Sequence, residues 1–268
     1  MSGEWRIAEA GDRVAVVVAH PDDETFGCGS LIALAHEAGA HVTVICATRG
    51  ESGERRPDPL TDAWPLGLLR EAELCQAAIV LGVDEVEILE YTDSGFSGTA
   101  PPGALVSAPL LDVAAELEAR LVAIAPDVVV TLDGSDGHRD HCHLRDALTL
   151  AVARLQRPVR LVHCCLARSL MREWVAIMGA EEPDREHLAV ADTDLGRPDE
   201  DLVAVDTSAV LATRERAIAC HLSQASPFDA LPAALRRRFL TIDHVIEMPG
   251  AAMTRGLAGS STTTRHHI

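Results

Sequence analysis

The sequence predicts an α/β fold, a Rossmann-like doubly wound sheet that is mostly parallel, followed by a C-terminal elaboration. Three observations carry that expectation. Residues 13–19 (RVAVVVA) form a continuous β-branched run instead of an alternating one, the pattern of a strand covered on both faces. Strand and helix signals then alternate five times with short connections up to residue 165, as helices wound onto both faces of a parallel sheet require. Helical periods also end where the chain supplies a stop, at Gly82 and just before Pro126.

In chain order, residues 29–38 read as a helix and 41–48 (HVTVICAT) as the second strand. Residues 66–81 are helical in period, and 85–89 (EVEIL) form the third strand. An amphipathic helix over 110–124 leads into the fourth strand, 127–132 (DVVVTL). A helix over 140–155 and a fifth strand over 159–165 complete the regular part. Beyond it the signals weaken: a helix over 167–179, a short strand over 202–206, and helices over 207–223 and 231–240. Residues 181–201 hold nine acidic side chains against Arg185 and Arg197 and read as a solvated loop or a lid over the cleft. The expected organisation is a single domain over 1–250, with a core over 13–165, the elaboration over 166–250 and a polar tail over 251–268.

The chain has 268 residues, 23 basic and 41 acidic side chains, a formal charge of −18 and 47% hydrophobic residues. This is the composition of a soluble globular protein. Such acidity disfavours nucleic acid or an anionic membrane as a partner, because phosphate binding draws on clustered basic residues; a small uncharged or cationic ligand fits it better. The longest apolar stretches, such as 14–19, fall far short of the roughly 20 residues of a membrane helix. The N-terminus shows no apolar secretory core, and seven cysteines without a CxxC pair read as reduced thiols, so a cytoplasmic location is expected. All 23 basic residues are Arg, and neither Lys nor Asn occurs. That excludes lysine Schiff-base chemistry, a Walker-type phosphate lysine and Asn-linked glycosylation.

Two loops are dense in metal-competent residues. HPDDE (20–24) directly follows the first strand, and DGSDGHRDH (133–141) directly follows the fourth. In a sheet of order 3-2-1-4-5 those strands are neighbours whose outgoing connections diverge, and ligands bind in the crevice at their carboxyl ends. The fold therefore places a metal site there. His20, Asp23 and one histidine of the second loop form the three-ligand set of a catalytic zinc, which keeps one position for water; Fe2+ suits the same ligands. Zinc lowers the pKa of its water to near 7 and polarises a carbonyl. Asp22, beside the ligand Asp23, is placed to take the water's proton, and a surplus histidine to assist the leaving atom. Spacing leaves open which of His138, His141 and His143 coordinates, and Cys142 lies among them as a competing donor. The plainer alternative is a turn in which Pro21 fixes the backbone and Asp22 or Asp23 caps the next helix. His and Asp together in both loops argue against it.

The motifs AHPDDETFGCG (19–29), TRGESGE (48–54) and HRDH (138–141) resemble those of the PIG-L/LmbE-like zinc-dependent N-deacetylases. These enzymes act on N-acetylglucosaminyl lipids, inositol glycosides of thiol biosynthesis and sugars in natural products. LREAEL (69–74), YTD (91–93) and ACHLSQ (219–224) resemble further segments of that family. The resemblance implies His20, Asp23 and His141 as zinc ligands and Asp22 as general base. It implies His138 as general acid or oxyanion stabiliser, tuned and oriented by Asp140, and Arg70 and Asp93 as holders of substrate hydroxyls. Two departures stand out. Arg139 replaces the proline of the usual HPDH, and Asp136 stands where sugar-thiol members carry a tyrosine. A carboxylate at that place favours a cationic or polyhydroxylated substrate.

The expected function is a zinc-dependent hydrolase that removes the N-acetyl or another N-acyl group from a small amino sugar or glycoside, in thiol-cofactor or natural-product metabolism. An amidase of a sugar-thiol conjugate is the nearest alternative, with the same chemistry and deeper acyl-side space. A non-catalytic Rossmann-like binding protein is the alternative of another class. A nucleotide-binding version would need GxGxxG after the first strand, where GCGS (27–30) stands instead. The sequence allows a homo-oligomer. For His221 two readings stay open, lining the cleft or holding the C-terminal segment against it.

Overall fold

The computed structural model describes residues 5–58, 61–181 and 195–248. Its strands are β1 (Arg13–Val18), β2 (His41–Thr48), β3 (Glu85–Tyr91), β4 (Val128–Leu132), β5 (Arg160–Cys165), β6 (Val203–Asp206) and β7 (Ile242–Met248). The helices are α1 (Asp23–Phe26), α2 (Gly29–Glu37), α3 (Leu66–Leu81), α4 (Leu110–Ile124), α5 (Arg139–Arg154), α6 (Arg168–Glu181), α7 (Leu211–Ile218) and α8 (Ala233–Thr241). One sheet runs β3-β2-β1-β4-β5-β7-β6. The first five strands are parallel, in the order expected, with β1 between β2 and β4.

The continuous apolar run of β1 is explained by its two covers. Val14, Val16 and Val18 pack with Leu31, Ile32, Leu74 and Leu81 of α2 and α3, while Ala15 and Val17 meet Leu117, Leu121, Leu144 and Leu148 of α4 and α5. Alternate residues of a strand point to opposite faces, so a strand sandwiched by helices must be apolar throughout. A third apolar cluster, outside this sandwich, joins Leu170, Met171 and Trp174 of α6 to Phe228, Leu235 and Phe239. No described helix is long and apolar enough to cross a membrane.

The C-terminal part departs from expectation in three places. Residues 242–248, to which no strand was assigned, form β7, which inserts antiparallel between β5 and β6. The helix expected over 207–223 is shorter: a 3-10 turn at Ser208–Val210 leads into α7, which stops at Ile218. The chain after it leaves the helical path because His221 and Ser223 turn inward to buried carboxylates. Finally, α6 runs on to Glu181, into the segment read as a loop or lid. Residues 182–194 of that segment lie outside the described residues, as does the tail at 251–268. Its far end is anchored: the Gly196 N–H donates to Ser135 O at 2.8 Å and Arg197 Nε to Asp133 Oδ2 at 2.7 Å.

Candidate active site

The loops leaving β1, β2, β3 and β4 meet at the carboxyl ends of those strands. After β1 the chain turns at Pro21, and Asp22 adopts φ 109°, a conformation rare outside glycine and found where a site over-determines the backbone. The capping alternative for Asp22 does not hold, since its side chain makes no cap bond to α1. Instead the Asp22 N–H donates to Glu24 Oε2 at 2.8 Å, and the His20 N–H to Asp23 Oδ2 at 2.8 Å. The two adjacent aspartates thereby face different partners.

Asp23 Oδ2 lies 3.4 Å from His20 Nδ1 and 3.1 Å from His141 Nε2, and the two nitrogens are 3.3 Å apart. Three donors on a tetrahedral zinc at about 2.0–2.1 Å stand about 3.3–3.4 Å from one another. This triangle therefore fits a divalent cation as it stands. His138 also approaches, its ring centroid 4.6 Å from that of His20, but its Nδ1 accepts the Asp140 N–H at 3.2 Å. Among the described residues, the grouped donors are His20, His138 and His141, and His20, Asp93 and Asp140; Cys142 and His143 belong to neither group.

Both histidines of the triangle are backed by carboxylates. His20 Nε2 meets Asp140 Oδ2 at 3.1 Å and Asp93 Oδ1 at 3.5 Å, and His141 Nδ1 meets Asp136 Oδ2 at 2.5 Å. Such backing fixes which ring nitrogen faces a metal and raises its basicity. Burial opposes charge on both rings, but the carboxylates prevail and raise them well above the ordinary histidine value. Burial likewise opposes ionisation of Asp23, yet His141 and His20 hold its carboxyl well below the usual range. Without a cation the cluster thus retains protons, which a cation displaces.

Asp22 sits beside the triangle on the α3 side. Arg70 Nη2 donates to Asp22 Oδ2 at 2.9 Å and to Pro21 O at 2.5 Å, and Nη1 donates to Gly50 O at 2.8 Å. Gly50 has φ +66°, and a Cβ there would lie 2.3 Å from the guanidinium, so only glycine lets the arginine pass. Burial lifts the Asp22 carboxyl to about 6, while Arg70 acts to lower it. Behind this layer the C-terminal segment closes in. His221 Nε2 meets Glu24 Oε1 at 2.7 Å, and Ser223 donates to Glu73 twice, from N–H at 2.8 Å and from Oγ at 2.6 Å. His221 therefore holds the segment against α1 through a fully buried carboxylate.

On the opposite side, burial, together with charge on His20 and His141, pushes His138 down to about 4. Phe96 packs edge-on against its ring at 5.5 Å. Arg139, the departure from the family's proline, clamps the loop that carries Phe96. It donates to the carbonyls of Gly95 at 2.7 Å, Gly98 at 2.9 Å and Ser97 at 3.1 Å, and also to that of Ser94.

The same contacts add partners to four of the expected site residues. Asp140 meets the His138 ring through its N–H, while its carboxylate reaches His20. Asp136 lines the cavity with both oxygens engaged: His141 meets Oδ2, and Oδ1 accepts the His138 N–H at 3.1 Å. Arg70 and Asp93 line the cavity and also hold partners within the protein. Asp93 accepts the N–H groups of Gly95 and Ser52, and Arg70 serves Asp22 and two carbonyls. Sequence reasoning missed Asp136 as the partner of His141, and it missed the pairing of Glu24 with His221. For Glu73 and Ser223 a signal existed, since the LREAEL and ACHLSQ segments carry matching acceptor and donors.

The family described as PIG-L, GlcNAc-PI de-N-acetylase, matches residues 15–152. The 1D-myo-inositol 2-acetamido-2-deoxy-alpha-D-glucopyranoside deacetylase of Actinosynnema mirum is 36% identical over 219 residues, 76% of this chain and 74% of the relative. Among solved structures, the N,N'-diacetylchitobiose deacetylase of Pyrococcus horikoshii is 21% identical with a TM-score of 0.55, over 89% of this chain and 84% of that one. The 4-carboxy-2-hydroxymuconate hydratase of Pseudomonas putida is 18% identical with a TM-score of 0.55, over 96% of this chain and 100% of that one. Deacetylases and a hydratase thus share the fold, so chemistry has to be argued from the residues of the site.

Proposed function

The chain belongs to the PIG-L family and is a hydrolytic N-deacetylase, and from that premise we propose that it removes the N-acyl group of a small amino-sugar glycoside, using zinc or iron(II) held by His20, Asp23 and His141. The observation that carries this reading is the donor triangle with sides of 3.1, 3.3 and 3.4 Å and Asp22 beside it. The named activity of the 36%-identical relative, on an inositol glycoside of an acetamido sugar, supports the substrate class.

A cation bound there would acidify a water and polarise the amide carbonyl. Asp22, oriented through Oδ2 by Arg70, accepts the proton of the attacking water and returns it to the departing nitrogen. His138 accepts at Nδ1 from the Asp140 N–H, so in its neutral form the ring proton sits on Nε2. From Nε2 it donates a hydrogen bond to the oxyanion of the tetrahedral adduct. Asp140, Asp93 and Asp136 keep the coordinating faces of His20 and His141 turned inward. The test is metal content together with amine release from N-acetylglucosamine glycosides, for wild type and Asp22→Asn. The variant should keep about one cation per chain and lose roughly 10²–10⁴-fold in kcat. Metal without amine release from any glycoside in the wild type would overturn the substrate class, and a wild type that binds no metal would end the reading.

A further inference from the structure

One cavity of about 630 Å³ is lined both by the donor triangle and by an apolar wall. Phe26, Leu170, Met171, Trp174, Phe228 and Phe239 form that wall, and all six belong to the third apolar cluster or pack against it. The wall is locked in place. The Trp174 indole N–H donates to Pro227 O at 3.0 Å, and the Phe228 ring stands 6.0 Å from Phe26 and 5.9 Å from Phe239. Arg214 also borders it, 5.9 Å from the Phe228 ring, but is paired with Asp243 at 2.8 Å, so its charge is compensated.

An amino sugar with free hydroxyls has hydrogen-bonding partners at the triangle and nothing to offer this wall. Water against six apolar side chains gains little, and an apolar group that displaces it is favoured in proportion to the area covered. We propose that the substrate carries an apolar substituent seated along this wall, either an N-acyl chain longer than acetyl or an apolar aglycone. This rests on the N-deacetylase reading, and the two sources share one chemistry that substrate series can separate.

The chain has three tryptophans, so a W5F/W64F background leaves Trp174 in the wall as the only one. Its fluorescence is titrated with two series on the Asp22→Asn form: methyl glucosaminides acylated from acetyl to octanoyl, and N-acetylglucosaminides from methyl to octyl. In one series each added methylene should tighten Kd about three- to fourfold until the wall is covered, and that series identifies the source. Wild-type kcat/KM should rise along the same series, and Met171→Gln should weaken the octyl or octanoyl ligand about fivefold. Two flat series would overturn the proposal. Chain-length-dependent binding without hydrolysis of any member by the wild type would keep the apolar wall as a binding site and overturn the N-deacetylase reading instead.

Discussion

Asp22 combines a strained backbone, a buried carboxyl and one charged neighbour, and its titration should show all three. A base works only when ionised, so activity rises with pH through its pKa, which burial lifts to about 6. The acid limb of kcat/KM should lie at or below that value. Arg70 opposes the upward shift, so Arg70→Leu should move the limb to higher pH, which a pH–rate profile would read directly. His163 on β5 gives a cleaner case away from the triangle. Burial pushes its pKa down to about 4, so the unfolded chain binds the extra proton first. Its contribution is therefore complete above about 6.5 and is lost as pH falls from about 6.5 to about 4, by an amount of order 3 kcal/mol. Urea melts across that window should show wild type losing about that much stability relative to His163→Phe as pH falls. At this scale the donor triangle lies within two short motifs, HPDD and HRDH, although only the family resemblance singles out His141 among the nearby histidines. The partners of these residues could not be read there: Asp140 serves His20 across a separation of 120 positions, and only side-chain direction decides between His20 and His138.

Elements show the same division. Strand β1 announces itself as an unbroken apolar run, and β2, β4 and β5 as runs rich in β-branched and apolar residues, because both faces of each are covered. IDHVIEM carries no such run; it becomes β7 through antiparallel pairing with its neighbours, which leaves no trace in its own composition. The end of α7 is hidden for another reason. A helical period persists past Ile218, and what breaks it is the pull of two buried glutamates on His221 and Ser223. The 94–98 loop depends on one residue of α5. Arg139→Ala would strip donors from four carbonyls, which should cost about 2 kcal/mol and speed amide exchange at Phe96 and Ser97. With Phe96 no longer pressed on His138, kcat/KM should fall roughly tenfold. Unchanged exchange at those amides would show that the loop holds itself.

For the molecule as a whole, a cation at the triangle ties β1 to α5 and should act as a folding ligand. At about a thousand times its Kd such a ligand adds about 4 kcal/mol, which for a chain of this size raises Tm on the order of 10 °C. Thermal melts with a chelator, and then with zinc restored, should show that fall and recovery; equal Tm values would mean the cation contributes nothing to the fold. The position of β7 has a further consequence, for synthesis. His20, Asp22, Asp23 and His141 all leave the ribosome before β5, whereas β7, which covers the free edge of β5, is made after β6, α7 and α8. A nascent chain at that stage holds the donor triangle and Asp22 but presents an uncovered parallel strand, with Glu24 and Glu73 still waiting for His221 and Ser223. Neighbouring chains on one message would meet at that open edge, so this is the interval in which metal capture and aggregation compete.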